Sequence, residues 1–209
     1  MDGKFITFEG IDGCGKSTQA NLLYQKLNTP NGSCILTREP GGSIGAEEIR
    51  NLLVTGKISR WSSETEILLF TAARRDHLER TIMPAINIGK TVISDRFFDS
   101  TRIYQGTASS ELTALVDNLH KLIIKIVPDL TFIIDMDPKR ALARGLARGS
   151  GEDRFEELGE PFQTKLRQQF IELAHSEEKR CFLIDGNKDI SVVAAEILSI
   201  YISHCNAEQ

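Results

Sequence analysis

Five short, mostly apolar runs punctuate the chain: Phe5–Glu9, Cys34–Arg38, Thr91–Asp95, Leu130–Asp135 and Cys181–Asp185. Their length and composition predict strands buried on both faces. Between them, helical patterns cover residues 15–27, 46–54, 63 to about 86, 112–127, 139–147, 162–179 and 191–202. Ser63 and Glu66 read as a capping box, and Asp137-Pro138 as a cap with a first-turn proline. Alternating strand and helix imply a parallel sheet with helices on both faces, joined by right-handed crossovers. The fold class is therefore α/β, a three-layer α/β/α sandwich on a five-stranded parallel sheet.

Ligands of such a sheet bind beyond the carboxyl ends of its strands. Those ends read Glu9-Gly10, Arg38-Glu39-Pro40, Asp95-Arg96, Asp135 and Asp185-Gly186, mostly charged and turn-prone. With no repeat, low-complexity tract or linker, the pattern predicts one domain over residues 1–209. Residues 145–159 differ from the rest, mixing Gly145, Gly149, Gly151 and Gly159 with Arg148, Glu152, Asp153 and Arg154. They read as a lid loop between helices.

The 209 residues are 41% hydrophobic and 26% charged, with net charge -4, which fits a single good core. That balance gives no reason to expect nucleic acid or membrane as partner, so an anionic ligand must be met by local basic groups. Cys14, Cys34, Cys181 and Cys205 follow no zinc or redox spacing, and Cys34 and Cys181 read as small core residues. No signal peptide or membrane-length run is visible, so the expected setting is cytoplasmic. His77, His120, His175 and His204 show no ligand spacing and read as surface or partly buried groups.

The sharpest chemistry is Gly10-Ile11-Asp12-Gly13-Cys14-Gly15-Lys16-Ser17, with Thr18 following, which matches G-x-x-x-x-G-K-[ST] without a mismatch. The glycines let successive N–H groups curl around a phosphate, Lys16 can reach the β- and γ-phosphates, and Ser17 can ligate Mg²⁺. The next helix turns its positive N-terminus to the anion. The motif places the fold among P-loop NTPases. Cys14 is a small residue fitting the loop or, alternatively, a reactive thiol.

Two classes of P-loop protein compete. A guanine-reading switch needs N-K-x-D, but in Asn187-Lys188-Asp189 the aspartate comes one place early. A kinase with an anionic acceptor needs converging arginines. Arg38 and Arg96 stand at strand ends beside the loop, and Arg148 and Arg154 lie in the glycine-rich segment, which could close and exclude water.

Several segments are more specific. Phe8-Glu9-Gly10-Ile11-Asp12-Gly13 leads into the loop, and Thr37-Arg38-Glu39-Pro40-Gly41-Gly42 follows the second strand. Phe70-Thr71-Ala72-Ala73-Arg74 lies in the long helical segment, and Asp95-Arg96-Phe97 precedes Ser100-Thr101 and Tyr104-Gln105-Gly106. In order and spacing they resemble the thymidylate kinase family, from the first strand to the last helix.

On the residues alone, Phe70 and Arg74 share a helix face, where they can stack on and bond a base or serve as core ring and surface charge. Ser100 with Tyr104, and Thr101 with Gln105, are likewise one turn apart and line a pocket or a polar surface. The resemblance implies that the base is thymine, touched by Gln105 and by Ser100 or Thr101, and that Tyr104 crowds the sugar 2′ position. It implies that Asp12 accepts the 3′-hydroxyl, that Arg38 and Arg96 hold the acceptor phosphate, and that Asp95 helps position Mg²⁺. Glu39 joins that network or satisfies its own turn. Lys16, Arg96, Arg148 and Arg154 become the catalytic candidates, since Gly13 and Cys14 leave the loop without arginine; Arg144 is a weaker one. The implied substrates are ATP and dTMP, and the implied assembly is a homodimer; the apolar helices at 67–73 and 112–127 read as an interface or simply as core. Uridylate, cytidylate or guanylate kinases are the nearest rivals.

Overall fold

The computed structural model describes residues 3–30, 32–147 and 158–207. Among them, β1 (Phe5–Glu9), β2 (Cys34–Arg38), β3 (Thr91–Asp95), β4 (Leu130–Asp135) and β5 (Cys181–Asp185) form one parallel sheet in the order β2-β3-β1-β4-β5. All five strands fall where the apolar runs predict them. β1 lies at the centre and is buried throughout, pairing Phe8 with Asp95 on one side and Phe132 on the other. The edge strands β2 and β5 show more exposed positions, because each has a neighbour on one side only.

The helices are α1 (Lys16–Leu27), α2 (Ile44–Val54), α3 (Ser63–His77), α4 (Met83–Asn87), α5 (Phe98–Tyr104), α6 (Ser110–Leu119), α7 (Pro138–Leu146), α8 (Gly159–Ser176) and α9 (Ile190–Ala207). The larger core packs α1, α8 and α9 on one face through Ile6, Phe8, Phe132, Phe170 and Val193. The smaller joins Phe5, Leu78, Ile82, Val92 and Phe97 on the other, with Phe5 and Phe97 edge to face at 4.8 Å.

Four local readings change. The helix expected over 112–127 is α6 to Leu119 and then a π-helical turn at His120–Ile124, stopped by a left-handed Lys125. The cap of α3 is Ser62, whose side chain accepts from the Thr65 N–H, rather than Ser63 in a box with Glu66. The segment from 63 to 87 carries a π-helical turn at Leu78–Ile82. Helix α5 had no place among the predicted elements: its Asp99, Ser100 and Thr101 are buried polar residues, so it shows no apolar stripe. Asp137 caps α7 as expected, accepting from the Arg140 N–H at 3.1 Å. Residues 148–157, with Arg148 and Arg154, lie outside the described residues.

Candidate active site

The chain leaves β1 at Glu9 and curls through the phosphate loop into α1. Gly13 has φ 77°, and a Cβ there would fall 1.9 Å from the Ala141 carbonyl oxygen of α7. Glycine alone lets the loop rest on that helix's backbone, which also explains why no arginine occupies the position. Lys16 is buried and donates from Nζ to the Ile11 carbonyl at 2.7 Å, so the ammonium crosses the mouth of its own loop. Ser17 Oγ donates to Asp95 Oδ2 at the end of β3. The other oxygen, Asp95 Oδ1, is buried and has no hydrogen-bond partner among the described residues. Burial pushes the Cys14 thiol up, against the pull of Lys16 and Arg96, so Cys14 is a small packing residue rather than a reactive thiolate.

Arg96 joins the loop to α5. It adopts φ 73°, a left-handed conformation unusual outside glycine, and its guanidinium is held from several sides. Nη1 donates to the Gly10 carbonyl at 3.0 Å and to Ser100 Oγ at 2.7 Å. Nη2 donates to Asp12 Oδ1 and, at 3.2 Å, to the Tyr104 hydroxyl. That hydroxyl in turn donates to Asp12 Oδ2 at 2.7 Å. Burial would raise the Asp12 carboxyl, but Arg96, then Lys16 and the Tyr104 O–H, hold it below the ordinary carboxylate value. Arg96 stays firmly protonated despite its own burial because Tyr104, Asp12, Asp95 and Glu9 surround it. A carboxylate inside a phosphate loop is thus neutralised locally.

Behind Arg96 lies Glu9, which sequence reasoning gave no role. Its Oε1 accepts from the backbone N–H of Phe97 at 2.8 Å and of Ser100 at 3.4 Å, and its Oε2 accepts from Ser100 Oγ. Burial and the Asp99 carboxylate raise its pKa to about 7, although Arg96 and these hydrogen bonds oppose the shift. Its signal in the sequence is an acidic residue closing a mostly apolar strand.

The far end of the site is built from α3 and α5. Arg74 is 4% exposed; its Nε donates to Glu39 Oε2 at 2.6 Å, its Nη2 to Thr101 Oγ1 at 2.9 Å, and it lies 5.2 Å from the Phe97 ring centre. The Glu39 backbone N–H donates to the Asp95 carbonyl at 2.9 Å, but the Glu39 carboxylate neither reaches Asp95 nor satisfies its own turn. Its second oxygen binds His77 Nδ1 at 2.9 Å, and His77 Nε2 meets Thr37 Oγ1 at 2.7 Å. The turn's Gly42 N–H is taken by Glu47 instead, at 2.9 Å. His77 is fully buried, against the expectation of a surface or partly buried histidine. Gln105 Nε2 donates to Glu66 Oε2 at 3.3 Å.

These groups enclose a cavity of about 310 Å³. Asp12, Arg38, Phe70, Arg74, Arg96, Ser100, Thr101, Tyr104 and Gln105 all line it, together with Lys16, Ser17 and Asp95. The polar-surface alternative for Ser100, Thr101 and Gln105 is excluded by their burial. Arg38 is the loosest member, half exposed and paired with Glu47 at 3.3 Å. Arg50, which sequence reasoning did not flag, also lines the cavity and donates to the Pro40 carbonyl at 2.6 Å. Arg144 lies in the last turn of α7 with Nη1 3.5 Å from Met136 Sδ, and its Nη2 lies 3.7 Å from where a Cβ on Gly15 would sit. Among the described residues no group of three or more His, Cys, Asp or Glu side chains is gathered to hold a metal by itself. Nor is any described helix long and apolar enough to cross a membrane.

A cavity ringed by arginines that opens onto the phosphate loop, at the carboxyl edge of this sheet, is the arrangement of a P-loop kinase with a small anionic acceptor. The sequence profile described as "Thymidylate kinase" matches residues 8–197. The chain belongs to the thymidylate kinase family. It is 61% identical over 197 residues to a thymidylate kinase of Dinoroseobacter shibae, covering 94% of this chain and 95% of that one. It is 55% identical over 204 residues to one of Ruegeria pomeroyi, covering 98% and 97%. A crystal structure of the Ehrlichia chaffeensis thymidylate kinase superposes with a TM-score of 0.76 at 36% identity, covering 96% of this chain and 99% of that one.

Proposed function

We propose that the chain transfers the γ-phosphoryl group of ATP to the 5′-phosphate of dTMP, forming dTDP and ADP. The observation that carries this reading is one cavity that brings every acceptor-site candidate together with Lys16 and Ser17. The phosphate loop, residues 10–18, takes the ATP phosphates, with Lys16 turning from the Ile11 carbonyl to the transferring group. Arg38 and Arg96 hold the acceptor phosphate, and Asp12 accepts the sugar 3′-hydroxyl. Phe70 stacks on the base, Arg74, Gln105 and Thr101 or Ser100 meet its edge, and Tyr104 crowds C2′.

Ser17 and Asp95 suit Mg²⁺: the unpartnered, buried Asp95 Oδ1 is an acceptor with its desolvation cost uncompensated. Bound there, Mg²⁺ would offset charge on the β- and γ-phosphates. A phosphomonoester has its second pKa near ~6, so the attacking oxygen is largely anionic at neutral pH. It forms the new P–O bond as the bond to the β-phosphate oxygen breaks. No general base is required. Lys16 and Arg96 offset charge on the group in flight.

Residues 1–209 act as one domain; Gly145, Leu146 and Gly159 belong to α7 and α8, so the expected lid narrows to the segment between those helices, whose Arg148 and Arg154 are the further catalytic candidates. A cytoplasmic setting suits these substrates. Exposed Leu68 on α3 and Leu122 and Ile123 after α6 support a homodimer through that face.

The test is ADP release from ATP and Mg²⁺ across dTMP, dUMP, dCMP and GMP. The reading expects dTMP to be the preferred acceptor. Slow hydrolysis indifferent to acceptor would make the chain a nucleotide-driven switch, and preference for another monophosphate would reassign the base pocket.

A further inference from the structure

Gln105 lines the cavity, but which end of its amide faces inward is not decided by shape, since the two ends are nearly equal in size. The decision falls to Glu66, a buried side chain on α3 that does not line the cavity. Glu66 Oε2 takes the Gln105 Nε2 donor at 3.3 Å. Glu66 Oε2 acts here as the acceptor, so the amide presents its nitrogen and not its carbonyl to Glu66. Gln105 Oε1 is left facing away, with no donor among the described residues. The neighbouring donor is fixed in the same manner. Arg74 spends Nε on Glu39 and Nη2 on Thr101, one turn before Gln105, and Nη1 has no acceptor among the described residues.

The pocket wall thus offers an acceptor near a donor. A base edge with a ring N–H beside a carbonyl, as in thymine and uracil, matches this polarity. Cytosine, with a bare ring nitrogen beside an amino group, opposes it at both places. A mismatch would leave buried groups unpaired, which costs far more than the loss of a neutral contact. We propose that Glu66 is a positioning residue that locks the Gln105 amide and so sets the acceptor preference for 4-oxo over 4-amino pyrimidines. This deepens the proposed function and rests on its reading that Gln105 meets the base.

The test is Glu66→Gln, assayed with ATP and each of dTMP, dUMP and dCMP. Glutamine keeps the shape but can donate to Gln105, so the amide is free to turn. The kcat/KM ratio of dTMP to dCMP should fall about tenfold or more, with the loss for dTMP mostly in KM. The dTMP to dUMP ratio should stay within about twofold, because both bases share the edge that Glu66 governs. General damage to the site would not separate the two ratios. An unchanged dTMP to dCMP ratio, or an equal fall in both ratios, overturns the proposal. Gln105→Leu is measured alongside. If it leaves KM for dTMP unchanged, Gln105 does not meet the base and the site reading itself fails. If it raises KM while Glu66→Gln moves nothing, the site reading stands and only the role of Glu66 falls. Should Glu66→Gln not fold, Glu66→Ala, which also releases the amide, is judged by the same ratios.

Discussion

Replacing Glu9 with glutamine should change how stability depends on pH, in a direction the structure fixes. Glu9 has no solvent exposure, and burial with Asp99 nearby raises its carboxyl from 4.5 to about 7. Between those values the native protein keeps a proton that the unfolded chain has released. A native state holding more protons than the unfolded one loses stability as pH rises. The contribution is full below pH 4.5 and is lost as pH passes about 7. At ~1.36 kcal/mol per pKa unit, the whole effect is about 3 kcal/mol. Glutamine can still accept the Phe97 and Ser100 N–H groups through its carbonyl and donate to Ser100 Oγ, yet has no charge to bury. Relative to wild type, Glu9→Gln should therefore gain about 3 kcal/mol on going from pH 4.5 to pH 8, whatever constant offset separates the two proteins. Urea unfolding followed by circular dichroism at several pH values measures the difference directly. Parallel curves across the window, or a gain toward acid, would refute the account of Glu9 as a carboxyl kept protonated by burial.

Arg96→Ala should lower turnover of ATP with dTMP by about 10²-fold or more in the ADP-release assay, while far-ultraviolet circular dichroism remains native. Wild-type turnover in that variant would remove Arg96 from the reaction. Tyr104→Ala should narrow the preference for dTMP over its ribose counterpart, and an unchanged ratio of kcat/KM would mean that the ring does not guard C2′. Gly13→Ala combines a left-handed backbone with a Cβ driven into the Ala141 carbonyl, and should cost about 2 kcal/mol or more as well as weaken ATP binding. A variant with wild-type melting temperature and ATP affinity would show that the loop does not need its seat on α7.

The strands were legible because the sheet buries them: β1 is apolar up to Glu9 except for Thr7, and a charged residue marks where each strand stops. Helix ends were legible only to within a few residues. Adjacent serines at 62 and 63 offer two equivalent caps, and only the chain's actual path selects Ser62. Helix α5 was readable as paired positions one turn apart, and not as an element, because its buried side is mostly polar, with Ile103 its one fully apolar member. The loop's lysine and serine and the arginines at strand ends follow from local pattern. What local pattern could not reach is the layer behind them. Glu9 meets Ser100 across 91 positions, Glu39 meets His77 across 38, and Glu66 meets Gln105 across 39. No spacing rule links such pairs; only the folded sheet and the packing of α3 against its neighbours bring them together.

The shared guanidinium of Arg96 has a consequence for how such a protein can be re-engineered. Asp12 belongs to the nucleotide loop and Tyr104 to the acceptor helix, yet both close on the same side chain. The two halves are therefore not modular. Grafting an acceptor helix from a kinase with another preference, without its matching loop residue, would strand a partly buried carboxylate or cation. Substitutions at positions 12, 96 and 104 should have non-additive effects, so a library that varies them together samples combinations whose outcome the single variants do not predict.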